Sequence, residues 1–177
     1  MHTYILFVVT RREHNAVDLI NKHFPDMFAF VLMKEIFIRR SGQLPRKAKQ
    51  ILFTGYVYVR SELSEREFVI KMSALIRRTS DIIRILKYGD SDEYAVRDEE
   101  IQALMSLLND DYCIEVLVGH KVGDKIRIVE GVLKGRDSII KRVNKHRMEA
   151  TILLEMMGAM REVTVGLDVI KKDTETQ

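Results

Sequence analysis

Past Asn109-Asp110-Asp111 the sequence stops repeating at helical spacing and does not resume it. From Cys113 to Ile170 the apolar residues come in short alternating runs: Ile126/Ile128, Ile139 to Val143, Ala150/Ile152/Leu154 and Val163/Val165. Turn residues separate them at Gly131, Gly135, Asn144 and Gly158. Successive strand side chains point to opposite faces, so alternation is a strand signal. Several short strands crowded into about 55 residues predict a small β-barrel.

The chain before that point reads differently. Tyr4 to Thr10 is apolar and β-branched, which predicts a buried strand. A helix is expected from Glu13 to Phe24, with Ala16, Leu19, Ile20 and His23 at helical spacing and Pro25 as the stop. Phe28 to Arg40 reads as one long strand. Gly42, Pro45, Arg46, Lys47 and Lys49 read as a polar loop, and Leu52 to Arg60 as the next strand. Ser64 with Glu67 forms a capping box before a helix whose apolar face is Phe68, Met72, Leu75 and Ile76. Ile82 to Leu86 is a fourth strand, and Asp98 to Leu108 a third helix. Strand, helix, strand, strand, helix, strand is the split βαβ order, an antiparallel sheet with helices on one face. The expected class is α+β: a first domain over 1–109, a linker over 110–118 and a barrel over 119–172.

Composition narrows the function classes. Hydrophobic residues are 46% and charged residues 31%, values of a soluble globular chain rather than a disordered or fibrous one. No apolar run approaches the roughly 18 residues of a membrane span. The N-terminus has no basic region ahead of its apolar stretch, so no signal peptide is expected. A single Cys113 fits a reducing cytosol, and the expected location is cytoplasmic. The net charge of +3 is unevenly spread. Met1 to Leu117 holds 17 Lys+Arg against 17 Asp+Glu, whereas Val118 to Lys172 holds 12 against 7. Six bases (Lys134, Arg136, Lys141, Arg142, Lys145, Arg147) face one acid, Asp137, between Lys134 and Arg147. A basic segment beside a neutral one suggests different partners for each, or simply a solvated hairpin.

Catalytic signals are missing. The five histidines are scattered, with no Cys or carboxylate at metal-ligand spacing. Gly119-x-x-x-Gly123-Asp124 lacks the lysine and hydroxyl of a phosphate-binding loop. No enzyme activity, metal or cofactor is expected.

Two stretches remain. In Leu52 to Arg60, alternation puts Phe53, Gly55, Val57 and Val59 on one face and Tyr56, Tyr58 and Arg60 on the other. The first set suits a helix-covered core. The second offers two tyrosines on the open face, for stacked bases or a partner protein, unless a helix or loop covers them. In Val122 to Gly135, a Gly-Asp turn leads into an alternating strand and then Gly131-x-x-x-Gly135.

These two stretches, in this order, resemble the NusG family of transcription elongation factors. Ile51 to Val59 is similar to the Phe-x-Gly-Tyr strand of the family's N-terminal domain. Val122 to Gly135 is similar to a KOW motif, in a barrel closing at Val163 to Lys172. The resemblance implies that Tyr4, Phe53, Tyr56 and Tyr58 meet the clamp helices of RNA polymerase. It also implies that the N-terminal domain bridges the DNA cleft, where Arg39, Arg40, Arg46 and Lys47 would face DNA; a merely solvated loop is the alternative. The chain departs from the family at Thr54 (for Pro), at Leu133 (for the aromatic that reaches a termination factor and a ribosomal protein) and at Met156 to Ala159. These departures and the basic barrel most resemble the LoaP class of antiterminators, which implies a structured leader RNA as partner. The RNA-binding candidates are Lys134, Arg136, Lys141, Arg142, Lys145, His146 and Arg147. Alternation puts Lys141 and Arg142 on opposite sides of their strand, so not all of these could serve one surface. A monomer is expected. The competing readings are a general factor coupling polymerase to the ribosome or to a termination factor, and an RRM-like RNA-binding protein.

Overall fold

The computed structural model describes residues 1–89, 91–123 and 125–170. The expected α+β class is what forms, as two compact units. The first comprises Met1–Leu32, Ile51–Ala103 and Met156–Ala159; the second comprises Met33–Gln50, Leu104–Glu155 and the chain from Met160 onward.

In the first unit, β1 (His2–Val8), β2 (Met27–Phe30), β5 (Tyr56–Ser61) and β6 (Ile82–Ile85) form one sheet in the order β2-β5-β1-β6. Every pairing in it is antiparallel. Helices α1 (Glu13–His23) and α2 (Glu65–Ile76) cover one face. Ser64 caps α2 by the predicted reciprocal pair: its hydroxyl accepts the Glu67 N–H and the Glu67 carboxylate accepts the Ser64 N–H. The hydroxyl also donates to that carboxylate and, with the backbone bond, holds Glu67 below its ordinary pKa. Under the helices lie Leu6, Ala16, Ile20, Val57, Val59, Phe68 and Met72, all buried. Tyr4 belongs to this layer too, its ring stacked on Phe68 at 3.7 Å between centroids.

The strand expected over Leu52–Arg60 starts only at Tyr56. Before it the backbone turns, with Tyr56 N–H bonded to the Phe53 carbonyl and Gly55 at φ 85°. Gly55 suits this turn because its φ is positive, a conformation that side-chain-bearing residues rarely adopt. Its N–H donates to Glu13 Oε1 at 2.7 Å, and its carbonyl accepts from Val8 at 2.8 Å. Glu13 is only 1% exposed, so an acidic residue at the start of α1 is spent on the turn rather than on solvent.

The long strand expected over Phe28–Arg40 is two strands, β2 and β3 (Met33–Ile38), in different sheets. The break at Val31-Leu32 was hidden from pattern reading because every residue across it is apolar. The polar loop expected over Arg46–Lys49 is a strand, β4 (Arg46–Ile51). It hairpins with β3, and β7 (Cys113–Ile114) pairs with β3 in parallel, all within the second unit. Helix α3 spans Asp98–Met105.

The rest of the second unit is a five-stranded curled sheet in the order β10-β11-β12-β8-β9: β8 (Leu117–Val122), β9 (Lys125–Glu130), β10 (Ile140–Asn144), β11 (Glu149–Met156) and β12 (Ala159–Ile170). The four alternating runs are β9 to β12, and Ile126, Ile128, Ala150, Ile152, Leu154, Val163 and Val165 fill the core as their alternation predicts. The segment expected as linker, 110–118, carries β7 and the start of β8. Strand β12 closes onto β8 in parallel, Leu167 opposite Leu117 through Ile170 opposite His120. Gly119 is required at that seam: an added Cβ would lie 2.7 Å from Ile126 Cγ2 and 2.8 Å from the Arg127 carbonyl oxygen. Among the described residues no helix is long and apolar enough to cross a membrane, and no group of His, Cys, Asp and Glu could hold a metal ion.

Candidate functional site

Face alternation sorts the first sheet as expected, but exposure does not follow from it. Directly opposed residues share a face in an antiparallel pair. Tyr58 opposes Ile5 and Phe30, Tyr56 opposes Phe7, and Arg60 opposes Thr3 and Phe28. These residues therefore form the face away from α1 and α2. Their rings pack in two groups: Phe28 to Phe30 at 5.5 Å and Phe30 to Tyr58 at 5.8 Å, and Phe7 to Tyr56 at 5.5 Å. Arginines lie over them, Arg60 at 5.2 Å from the Phe30 ring and Arg84 at 5.9 Å from the Phe7 ring. Cations held over ring faces in this way are attracted by the ring quadrupole.

Two exposed tyrosines were expected there, and Tyr58 is not one of them. It is 1% exposed, while Tyr56 is half-buried. Burial, and then the Glu100 carboxylate at the start of α3, drive the Tyr58 hydroxyl pKa well above its ordinary value. Tyr4 lies on the opposite face beneath α2, and burial, with Glu65 nearby, pushes its hydroxyl up to about 12. Neither hydroxyl has a hydrogen-bond partner among the described residues. Phe53 packs in the turn before β5, 9% exposed. Of the four aromatics singled out, only Tyr56 presents surface. Phe28, at 47% exposure, is the open aromatic that inspection of β5 alone missed. Alternation along β2 and β1 would have added Phe28, Phe30 and Phe7 to the same face.

Glu100 is itself buried and fully engaged. It accepts the Tyr88 hydroxyl at 2.8 Å, the Met157 N–H at 2.5 Å and the Gly158 N–H at 3.1 Å, all inside the first unit. No periodic signal marks such a residue, since a glutamate at a helix start reads as a solvated charge.

The second unit carries the bases. Arg39 and Arg40 follow β3, Arg46 and Lys47 open β4, and all four are exposed around the β3–β4 turn. Lys47 reaches Glu35 at 3.8 Å. Lys134, Arg136, Lys141, Arg142, Lys145, His146 and Arg147 are also exposed, every one. Arg136 donates to the Ser106 hydroxyl at 2.7 Å, and Lys141 is ion-paired with Glu162, whose carboxylate that bond holds below its ordinary pKa. Lys134, Lys145 and Arg147 make no ion pair among the described residues.

Strict alternation would send Lys141 and Arg142 to opposite sides of β10. The pairing with β11 slips between Ile140 and Arg142, which makes Lys141 the extra residue of a bulge. Both residues border one cavity of about 900 Å³, as does every residue from Ile140 to His146. Arg142 also borders a neighbouring cavity of about 470 Å³ with Arg147 and Thr151. A bulge cannot be seen in a single strand's sequence, so the slip could not have been read there.

The N-terminal 1–105 match the family model described as transcription termination factor NusG. The chain belongs to the NusG family. A curated relative, the transcription termination/antitermination protein NusG of Thermus thermophilus, is 23% identical over 137 residues, covering 76% of this chain and 73% of that protein. NusG membership places the chain among proteins of transcription and its regulation, and the curled sheet after β7 sits where a NusG chain carries its KOW domain. Leu133 is 2% exposed and serves the core.

Proposed function

We propose that this chain is a transcription elongation and antitermination factor that holds RNA polymerase through its N-terminal domain, residues 1–109, and a structured leader RNA through its KOW domain, residues 119–172. It would suppress pausing and termination on the operon whose leader it reads, as the LoaP class does. The observation that carries the reading is the basic stretch Lys134–Arg147, exposed along its length and bordering two cavities, in a chain that belongs to the NusG family. Phosphates are drawn to such a stretch, and Arg or His can stack on unpaired bases. The burial of Leu133 supports an RNA partner over a ribosomal or termination partner, because it removes the side chain those contacts would use.

On the polymerase side, Tyr56 and Phe28 lie on the exposed part of the aromatic face. Tyr4, Phe53 and Tyr58 serve that surface from beneath by fixing its shape. Arg39, Arg40, Arg46 and Lys47 face the DNA. The test is transcription in vitro on a template with a terminator, preceded either by a structured leader or by the same leader scrambled. The full chain should raise readthrough only with the intact leader. Tyr56→Ala should lose co-purification with core polymerase. Equal readthrough on both templates would remove the leader-RNA reading and leave a general elongation factor.

A further inference from the structure

The 900 Å³ cavity lies between the two edge strands of the curled sheet, β9 and β10. Its lining combines apolar residues, Ile126, Ile140 and Val143, with the cations Lys125, Lys141, Arg142 and Lys145. Among the described residues one carboxylate lines it, Asp137. Asp137 Oδ1 accepts the Ile128 N–H at 2.8 Å, which fixes the side chain and leaves the other oxygen as an acceptor. The size falls within the roughly 300–1,000 Å³ typical of small-molecule sites. Edge strands also leave backbone donors and acceptors unmatched along both walls. A cavity lined by apolar side chains, several cations and a carboxylate held by a backbone N–H suits a nucleobase carrying its own phosphate.

Resting on the RNA-binding reading above, we propose that this cavity receives a single unpaired nucleotide turned out of the bound RNA. The base enters between β9 and β10, and its flanking phosphate meets Arg142 and Lys145. Lys141 is not needed for this, being held by Glu162. A carboxylate acceptor favours bases with an amino group, as Asp and Glu favour cytosine, over uracil. The pocket therefore supplies base discrimination, and the surrounding lysines supply charge alone. A free mononucleotide shares the chemistry but lacks the rest of the strand.

The experiment titrates the full chain with a hairpin RNA of fixed stem carrying one unpaired cytidine, the same stem with an unpaired uridine, the fully paired stem, and cytidine monophosphate. The unpaired-cytidine hairpin should bind about tenfold tighter than the paired stem, with uridine in between. Ser138→Tyr, which fills the slot from an exposed turn position, should erase the tenfold gain and leave affinity for the paired stem unchanged. Asp137→Asn keeps an oxygen for the Ile128 N–H and should erase the preference of cytidine over uridine. Equal, salt-dependent affinity for all three hairpins would overturn the pocket while leaving RNA binding in place. No affinity for any RNA would overturn both readings. Cytidine monophosphate binding as tightly as the hairpin would make the cavity a small-molecule site and overturn the proposal.

Discussion

The aromatic face of the first sheet and the basic strand β10 both began as patterns of alternating residues, yet they met different fates. On the aromatic face, Tyr58, Phe30 and Ile5 are 5% exposed or less, while Phe7 and Tyr56 are half-buried and Phe28 is exposed. Along β10 and its flanking turns every base stands in solvent. The difference is physical. A ring loses little by being buried wherever a neighbour can cover it, so its place on a face says nothing about what lies above. A lysine or arginine is rarely buried without a partner, so its presence nearly fixes its exposure. The charged candidates could therefore be placed at the surface from the residues themselves, and the aromatic ones could only be placed on a face.

That contrast predicts that the aromatic residues control stability and the basic ones control binding. The largest effect should come from Phe68→Ala, which removes the ring stacked on Tyr4. It should cost about 3–5 kcal/mol in urea unfolding, as other buried Phe truncations do. Next is Glu13→Ala, which strips the buried Gly55 N–H of its acceptor and should cost about 1–3 kcal/mol. A loss under half a kcal/mol would mean that water reaches the turn.

Tyr58→Phe should run the other way. It deletes a buried hydroxyl with no partner, so unfolding should be unchanged or shifted to higher urea. The same two hydroxyls give a pH signature. Tyr4 has a folded pKa raised from 10.0 to about 12, so the stability linked to its neutral form is complete below pH 10 and is lost as pH rises through 12. Tyrosinate absorbance from Tyr4 and Tyr58 should appear only with alkaline unfolding. Ionisation of both near pH 10 in the folded protein would show that solvent reaches these hydroxyls after all. At the small end, Lys145→Ala should leave the urea midpoint where it was.

The pattern of elements was largely available before the structure. The capping box, the split βαβ order and strands β9 to β12 follow from local rules of capping and period. What could not be read depends on partners distant in sequence. The break at Val31-Leu32 separates two sheets inside one apolar run. Strand β4 looks like a polar loop because its residues are mostly exposed and basic. The slip at Lys141 exists only relative to β11. Glu13 and Glu100 are bound by backbone N–H groups from other segments, which nothing in their own neighbourhood announces.

The central claim is that the exposed bases of the second unit bind RNA, and its most direct test is a titration of the full chain against a structured leader RNA and a scrambled control at several salt concentrations. The account predicts tighter binding of the structured RNA, with a log–log salt slope that falls by about one for Lys134→Ala and again for Lys145→Ala. Equal, weak affinity for both RNAs, with a slope indifferent to either substitution, would contradict it and leave the charge as a solvated face.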